Sequence, residues 1–309
     1  MLKPQKLLPD STIGIVSPSY WWDEILLKKT ALLLSDQGFK LEFGNSIFLK
    51  NNAFAGQADE RADDLQSMFS NNDIQAIFCV RGGYGANRVL PLLDFDLIRN
   101  NPKIFMGYSD ITALLTSITQ ETRLVTFHGP MLIGFKDGLL NYNYSLMNKV
   151  LGGGQDIVIN PPENFPCRVL KQGKAEGPLW GGNITLLMNR LGTSTALNTA
   201  GSILFLEDVN EYYYNFDRIL FQFRQAGFFD SIKGLIFGEL KNMKDEQVPF
   251  GKSTDEIILD ICGDLDIPII SNFPCGHGKY QATLPLSVKA CLDATGLHPV
   301  LTLLESPVE

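Results

Sequence analysis

The sequence predicts an α/β protein with a mostly parallel, helix-flanked N-terminal sheet and a C-terminal α/β domain that ends in a hairpin. Short β-branched runs alternate with helical patterns along most of the chain. Two of these runs, at 76–81 and 103–108, are almost continuously apolar, which is typical of strands buried on both faces. The 309 residues, 45% of them hydrophobic, are enough for two domains or one large α/β unit.

The N-terminal domain is predicted to comprise residues 1–137. Its segments are TIGIVS at 12–17, a helix over 22–37, FKLEF at 39–43, a helix from Asp59, AIFCVR at 76–81 and KIFMGY at 103–108. The last two strands end in unusual turns, RGGYG at 81–85 and GYSD at 107–110. Ligands of open α/β sheets bind at the carboxyl ends of strands, so we expect a functional site at these turns.

Residues 138–177 are rich in Gly, Pro and Asn and predict an irregular linker, followed by a C-terminal domain over 178–309. In that domain the alternation resumes. Its segments are a helix from Asn183, SILFLED at 202–208, a helix through 217–227, IKGLIFGEL at 232–240, a helix over 254–262 and IPIISNF at 267–273. The segment 286–304 predicts two strands joined by a turn at 293–296.

Charge and residue inventory exclude several classes of protein. The formal net charge is −8 and the chain has no dense Lys/Arg run, so neither nucleic acid nor an anionic membrane is an expected partner. The five cysteines form no CxxC pair, and the three histidines form no HxH or HExxH motif. We therefore expect no metal and no cofactor. No apolar run is long enough for a signal sequence or a membrane span, and we expect a cytoplasmic protein.

Ser109 is the first candidate for chemistry, because it stands where a buried strand ends and a helical pattern begins. Such a turn exposes a nucleophile, and the backbone N–H groups of Asp110 and Gly83 could bind an oxyanion. An ordinary α/β-hydrolase elbow would require Gly at the position of Ile111. The alternative is that Ser109 only caps the following helix.

His277 and Glu207 are the candidates for the base and the acid that orients it. His277 lies between two glycines just after a predicted strand, where an imidazole is presented rather than packed. Glu207 ends the strand SILFLED and could stabilise an imidazolium. The alternatives are a surface histidine and an acid pair, Glu207 with Asp208, that caps a helix. The chain order places the nucleophile in the first domain and its partners in the second, which predicts a site at the domain interface.

Six sequence segments, which occur in the same order along the chain, resemble the LD-carboxypeptidase, or muramoyltetrapeptide carboxypeptidase, family of serine peptidases. The segments are RGGYG, MGYSDITALL, TFHGPM, LWGGNITLL, LFLEDVNEYYYNFDRILFQFRQAG and CGHGKYQATLPL. The resemblance implies that Ser109 is the nucleophile, His277 the base and Glu207 its orienting acid. It also implies a small peptide as substrate, from which terminal D-alanine of a murein tetrapeptide is released in peptidoglycan recycling.

The resemblance leaves the substrate open. The same family includes a microcin-immunity branch that acts on peptidyl-nucleotide conjugates, and a catalytically silent binding protein would share the fold. A carboxypeptidase must bind a terminal carboxylate, for which Arg81 and Lys279 are the nearest cations in sequence. Trp180 and Tyr213 could line an aromatic pocket wall, or pack in the core. The oligomeric state, including a homodimer, stays open.

Overall fold

A computed structural model describes all 309 residues, which form two compact units. The N-terminal unit consists of Met1–Gly154, Ala282–Ser287 and Ser306–Glu309, and the C-terminal unit of Gln155–Gln281 and Val288–Glu305. The mixed α/β class with two separate sheets is the predicted one.

The strands and helices are numbered along the chain. The strands are β1 (Thr12–Val16), β2 (Lys40–Phe43), β3 (Ala76–Cys79), β4 (Ile104–Gly107), β5 (Phe127–His128), β6 (Ile157–Ile159), β7 (Arg168–Lys171), β8 (Lys174–Asn183), β9 (Ile203–Val209), β10 (Gly234–Lys241), β11 (Ile269–Gly276), β12 (Leu284–Pro285), β13 (Lys289–Asp293) and β14 (Val300–Leu303). The α-helices are α1 (Glu24–Ser35), α2 (Ala58–Ser70), α3 (Ala86–Val89), α4 (Phe95–Asn100), α5 (Thr112–Thr122), α6 (Asn141–Leu151), α7 (Ile184–Arg190), α8 (Tyr213–Gln225) and α9 (Thr254–Cys262).

The N-terminal unit contains a six-stranded sheet in the order β12-β5-β4-β3-β1-β2. Its first five strands in sequence pair in parallel, and β12 pairs antiparallel with β5. Every residue of β3 and β4 is buried, which confirms the prediction of two-sided burial. Because β3 and β4 are parallel neighbours, the turns that follow them meet at one edge of the sheet.

The C-terminal unit contains an eight-stranded sheet in the order β6-β14-β13-β8-β9-β10-β11-β7. Strands β8 to β11 pair in parallel, whereas β13 and β14 form the predicted antiparallel hairpin. Helix α8 packs on the core through Phe216, Ile219, Leu220 and Phe223, the spacing of one helical face.

The prediction of an irregular linker over 138–177 is corrected by the structure. This segment contains α6, β6 and β7 and the start of β8. The short strands β6 and β7 pair with β14 and β11, which are distant in sequence, so the open edges of the sheet order them. The N-terminal unit continues to Gly154 rather than ending at residue 137, and the chain returns to it after residue 281. No helix is both long and apolar enough to cross a membrane.

Candidate active site

Ser109 occupies a strained turn between β4 and α5. Its φ is 62°, in the left-handed region, while Tyr108 before it is extended. A non-glycine residue in this conformation costs on the order of 1–3 kcal/mol, and such strain concentrates at functional sites. A short 3-10 helix, Ser109–Ile111, then leads into α5, and no serine side chain caps it. Ser109 is partly exposed and makes no cap hydrogen bond, so the structure does not support the alternative that it only caps the helix, and its role as nucleophile stays a prediction.

Two glycines make room for the Ser109 turn. A Cβ on Gly82 would lie 2.9 Å from Cβ and 3.0 Å from Oγ of Ser109. A Cβ on Gly107 would lie 2.8 Å from a methyl carbon of Ile111. Neither position leaves space for a side chain. The contact at Gly82 shows that the backbone of the RGGYG turn lies directly against Ser109. The structure thus brings two of the predicted segments together within the N-terminal unit.

The backbone N–H of Asp110 is well suited to an oxyanion. It belongs to the first turn of the helical segment after Ser109, where N–H groups have no intrahelical acceptor. Its nitrogen would lie 3.3 Å from a Cβ on Gly82, so it is close to the glycine turn. Gly83 lies next to Gly82 and has a φ of 121°, a backbone conformation that residues other than glycine rarely adopt. Its role as the second donor stays a prediction.

The Asp110 side chain, which the sequence reasoning left aside, ties three loops together. Only 1% of Asp110 is exposed, and its Oδ2 accepts hydrogen bonds from Ser19 Oγ at 2.5 Å and from the Ala86 N–H at 2.8 Å. Burial raises the pKa of this carboxyl, although both hydrogen bonds and the Arg61 charge oppose the rise. The carboxyl therefore anchors the loop after β1 and the start of α3 to the Ser109 turn.

In the C-terminal unit, His277 and Glu207 form a hydrogen-bonded pair. His277 Nδ1 lies 2.8 Å from Glu207 Oε2. The glutamate side chain is fully buried, while 18% of the histidine side chain is exposed. The structure thus brings together the two residues that were predicted as a base and its orienting acid, and it does not support the alternative of an isolated surface histidine. Because Nδ1 faces the carboxylate, proton transfer with a substrate would have to use the other ring nitrogen, Nε2.

Glycines on β10 and β11 allow this pair to form. Strand β10 lies between β9, which carries Glu207, and β11, which leads to His277. A Cβ on Gly238 in β10 would lie 3.0 Å from Glu207 Cβ, and one on Gly276 would lie 2.5 Å from Glu207 Oε2. A side chain at either position would displace the carboxylate. The sequence reasoning missed this role, although an isolated glycine inside a strand signals a close approach.

The neighbouring charges set the protonation of His277. Burial by itself lowers the pKa of the imidazole, but the charge and hydrogen bond of Glu207 and the charge of Asp208 raise it. The net result is a pKa above the ordinary value of 6.5. The site therefore stabilises the imidazolium that a general base forms when it accepts a proton.

Asp208 has the capping role that was considered for the acid pair, but for a different helix. Its carboxylate accepts hydrogen bonds from the Asn183 amide at 3.0 Å and from the N–H and hydroxyl of Thr185 at 3.0 and 2.8 Å. Burial and the Glu207 charge raise its pKa to about 6. Asp208 thus fixes the start of α7, whereas Glu207 contacts His277.

Of the predicted substrate-binding residues, Arg81 belongs to the N-terminal unit, and Trp180, Tyr213 and Lys279 belong to the C-terminal unit. Trp180 and Tyr213 are partly buried and pack against the apolar core of the C-terminal unit, as the core-packing alternative expected. Lys279 is exposed, with Nζ 5.6 Å from the Tyr280 ring centroid. Arg81 is half-buried, its guanidinium 5.7 Å from the Tyr20 ring centroid. No contact assigns any of them to a substrate, so these roles stay predictions.

The chain shows no built metal site. No group of three or more His, Cys, Asp or Glu side chains is arranged to hold a metal ion. All five cysteines are free thiols. Burial raises the pKa of Cys79 well above its ordinary value, so this thiol is a poor nucleophile.

Two family profiles match the chain. Residues 13–129 match the LD-carboxypeptidase N-terminal domain, and residues 176–292 match the LD-carboxypeptidase C-terminal domain. The chain is 35% identical over 296 residues to a probable murein peptide carboxypeptidase of Bacillus subtilis, with 94% of this chain and 91% of the relative covered. It is 32% identical over 289 residues to the microcin C7 self-immunity protein MccF of Escherichia coli, with 84% and 83% covered.

Solved structures give the same grouping. Wild-type MccF without ligand superposes with a TM-score of 0.92 at 26% identity and full coverage of both chains. The muramoyltetrapeptide carboxypeptidase of Oxalobacter formigenes superposes with a TM-score of 0.86 at 26% identity, covering 96% of this chain and 100% of the other.

Fold and relatives together define the protein as a peptidase, a hydrolase of amide bonds in peptides. The chain belongs to the LD-carboxypeptidase family.

Proposed function

We propose that the protein is a serine LD-carboxypeptidase that releases terminal D-alanine from murein tetrapeptide in peptidoglycan recycling. Ser109 is the nucleophile, and His277 is the general base and acid. Glu207 is the carboxylate that orients the imidazole and stabilises its protonated form. The hydrogen bond between His277 and a fully buried Glu207 is the observation that carries the proposal. The relative in Pseudomonas aeruginosa is named a murein tetrapeptide carboxypeptidase, which supports the choice of substrate.

The reaction has two halves. Ser109 Oγ attacks the carbonyl carbon between the L-configured centre and D-alanine while His277 Nε2 accepts the hydroxyl proton. The developing oxyanion accepts hydrogen bonds from the N–H of Asp110 and from the Gly83 turn. The amide C–N bond then breaks, and His277 returns the proton to the leaving amine. Water, deprotonated by the same imidazole, hydrolyses the acyl-enzyme and regenerates Ser109.

A peptidyl-nucleotide peptidase is the second candidate. The similarity to MccF, at 32% sequence identity and a TM-score of 0.92, favours it. In that case the partly exposed rings of Tyr212 and Tyr214, whose centroids are 5.5 Å apart, would supply a stacking surface for the base. The same nucleophile and base would cleave the conjugate, so only the leaving group differs.

The test is to incubate the enzyme with purified murein tetrapeptide and with a peptidyl-adenylate conjugate, and to quantify D-alanine and nucleotide release. We expect D-alanine release to dominate. Efficient cleavage of the conjugate without D-alanine release would replace the first proposal by the second.

The matched variants are Ser109→Ala and Ser117→Ala. Ser117 is buried in α5 and its hydroxyl has no hydrogen-bond partner, so its replacement should leave the rate unchanged. Ser109→Ala should lower turnover by roughly four orders of magnitude without loss of fold. A Ser109→Ala rate close to that of Ser117→Ala would exclude Ser109 as the nucleophile.

A further inference from the structure

Arg81 is a cation of the RGGYG turn whose guanidinium has no hydrogen-bond partner in the protein. It follows β3, stands directly before Gly82 and is half-buried. Its Nε atom is buried, and no acceptor lies within hydrogen-bond distance of that nitrogen. No carboxylate forms an ion pair with the guanidinium. Buried donors without a partner are rare, because their lost contacts with water are not replaced. Arg81 thus presents N–H donors that are open to an acceptor from outside the chain.

A second arginine of the N-terminal unit, Arg61, differs from Arg81 in both respects. Arg61 is buried and donates hydrogen bonds to three backbone carbonyls. The charge of Asp110 raises its pKa, and the charge of Arg61 in turn lowers the pKa of Asp110. Arg61 is therefore a structural arginine with its own hydrogen-bond acceptors and counter-charge. Arg81 has neither, although it belongs to the turn that lies against Ser109.

The ring of Tyr20 connects the Arg81 guanidinium to the glycine turn. Arg81 Cζ lies 5.7 Å from the centroid of this ring, which is within the range of a cation–π contact. The same ring packs on Gly83, since a Cβ on that glycine would lie 2.4 Å from Tyr20 Cδ2 and 2.5 Å from Cγ. The backbone of Tyr20 is fixed as well, because its carbonyl accepts a hydrogen bond from Ser17 Oγ at 2.8 Å. One aromatic side chain thus contacts both the cation and the candidate oxyanion donor.

The position of Arg81 relative to Ser109 suits the end of a peptide chain. Gly82, the next residue, lies against Ser109, because a Cβ on it would be 3.0 Å from Ser109 Oγ. Gly83 is exposed, and its N–H has no acceptor in the protein. Consecutive residues of a peptide are only about 3.8 Å apart, so a terminal carboxylate lies close to the last amide carbonyl. A residue that binds this carboxylate must therefore belong to the immediate surroundings of the nucleophile, as Arg81 does.

We propose that Arg81, held in place by Tyr20, binds the terminal carboxylate of the substrate and thereby restricts cleavage to the last residue of a peptide. The inference rests on the proposed function, because a carboxypeptidase is the kind of peptidase that needs this contact. A guanidinium suits the role, since its planar fork can donate two parallel N–H···O bonds to one carboxylate. Tyr20 is a positioning residue, which limits the orientations of the guanidinium through the contact with its ring.

The experiment compares murein tetrapeptide with its C-terminal amide, in which a neutral group of similar size replaces the carboxylate. Release of the tripeptide is measured, because it is the common product of both substrates. The wild-type kcat/KM should be roughly a hundredfold higher for the acid than for the amide, since a charge-assisted bidentate contact is lost in the amide. Arg81→Gln should lower kcat/KM for the acid by about the same factor and leave that for the amide unchanged. The matched control is Arg99→Gln, an exposed arginine of the same unit that pairs with Asp96.

Two further sets of variants separate binding from folding. Arg81→Lys retains the charge without the fork, so it should restore part of the selectivity for the acid, and it replaces Arg81→Gln if melting curves show that variant to be unfolded. Tyr20→Phe should keep the wild-type selectivity, whereas Tyr20→Leu should reduce it because the ring contact is lost. A Tyr20→Leu enzyme that loses activity equally on the acid and the amide would show that Tyr20 does not position Arg81.

Equal kcat/KM of the wild-type enzyme for the acid and the amide, or an unchanged ratio in Arg81→Gln, would overturn the inference. Failure of the proposed function has a different signature, which is no tripeptide release from either substrate. Calorimetry with Ser109→Ala then decides the inference separately. Tighter binding of the acid than of the amide, lost when Arg81→Gln is added, would support it. Equal binding of the two peptides, or binding of adenosine monophosphate alone, would overturn it.

Discussion

The imidazole of His277 is held by a carboxylate that has no exposed surface: Nδ1 lies 2.8 Å from Glu207 Oε2, and the Glu207 side chain is fully buried. This geometry selects one tautomer of the neutral imidazole, with the proton on Nδ1, and leaves Nε2 as an acceptor.

Replacing Glu207 by Gln should lower kcat by on the order of 10⁴-fold, because the amide no longer stabilises the imidazolium or enforces the tautomer. Glu211→Gln is the matched control, since Glu211 is partly exposed and follows the end of β9. Steady-state kinetics of D-alanine release measure both variants. Equal activity of the two would remove Glu207 from the mechanism.

The acid limb of the pH–rate profile should have its midpoint above pH 6.5, because a general base must be neutral and the pKa of His277 is raised in the folded protein. In Glu207→Gln the limb should move to lower pH, since burial lowers the pKa once the carboxylate is removed. The ion pair contributes to folding stability below the unfolded pKa and loses that contribution as pH rises through the folded pKa. A limb that stays in place in Glu207→Gln would contradict the assignment.

Gly82→Ala should lower kcat by about 10²- to 10³-fold, the usual effect of losing one oxyanion donor, because the new side chain displaces the turn that carries Gly83 or the Ser109–Asp110 backbone. The added Cβ would lie 3.0 Å from Ser109 Oγ and must displace the serine or the turn. Gly296→Ala is the control, because a Cβ there meets nothing within 4 Å. Melting temperatures separate a site effect from unfolding. A Gly82→Ala enzyme as active as the control would show that the close approach is not required.

Exhaustive treatment with a chelator should leave D-alanine release unchanged. The chain contains no cluster of three metal-ligating side chains, and the proposed oxyanion donors are backbone N–H groups. Activity is compared before and after dialysis against the chelator and after addition of divalent ions. Loss of activity that a divalent ion restores would require a different mechanism.

Local patterns were sufficient for most of the fold. Apolar runs and their bounding glycines located β3, β4 and the strand of Glu207. This worked because a strand buried on both faces consists of consecutive apolar residues, which are visible in the sequence. The prediction missed β6 and β7 because a short edge strand is ordered by its partner and not by its own composition.

The sequence by itself determined the α/β class, the turn that presents Ser109 and the chemical identity of Glu207 and His277. Only the tertiary structure decided that the last two meet, since 70 positions separate them and the contact depends on glycines in two further strands. The structure also gives the reason why Glu207, and not Asp208, contacts the histidine, since alternate residues of a strand point to opposite sides. A sequence pattern states which groups are present, whereas distances between groups from separate strands arise only from sheet order and packing.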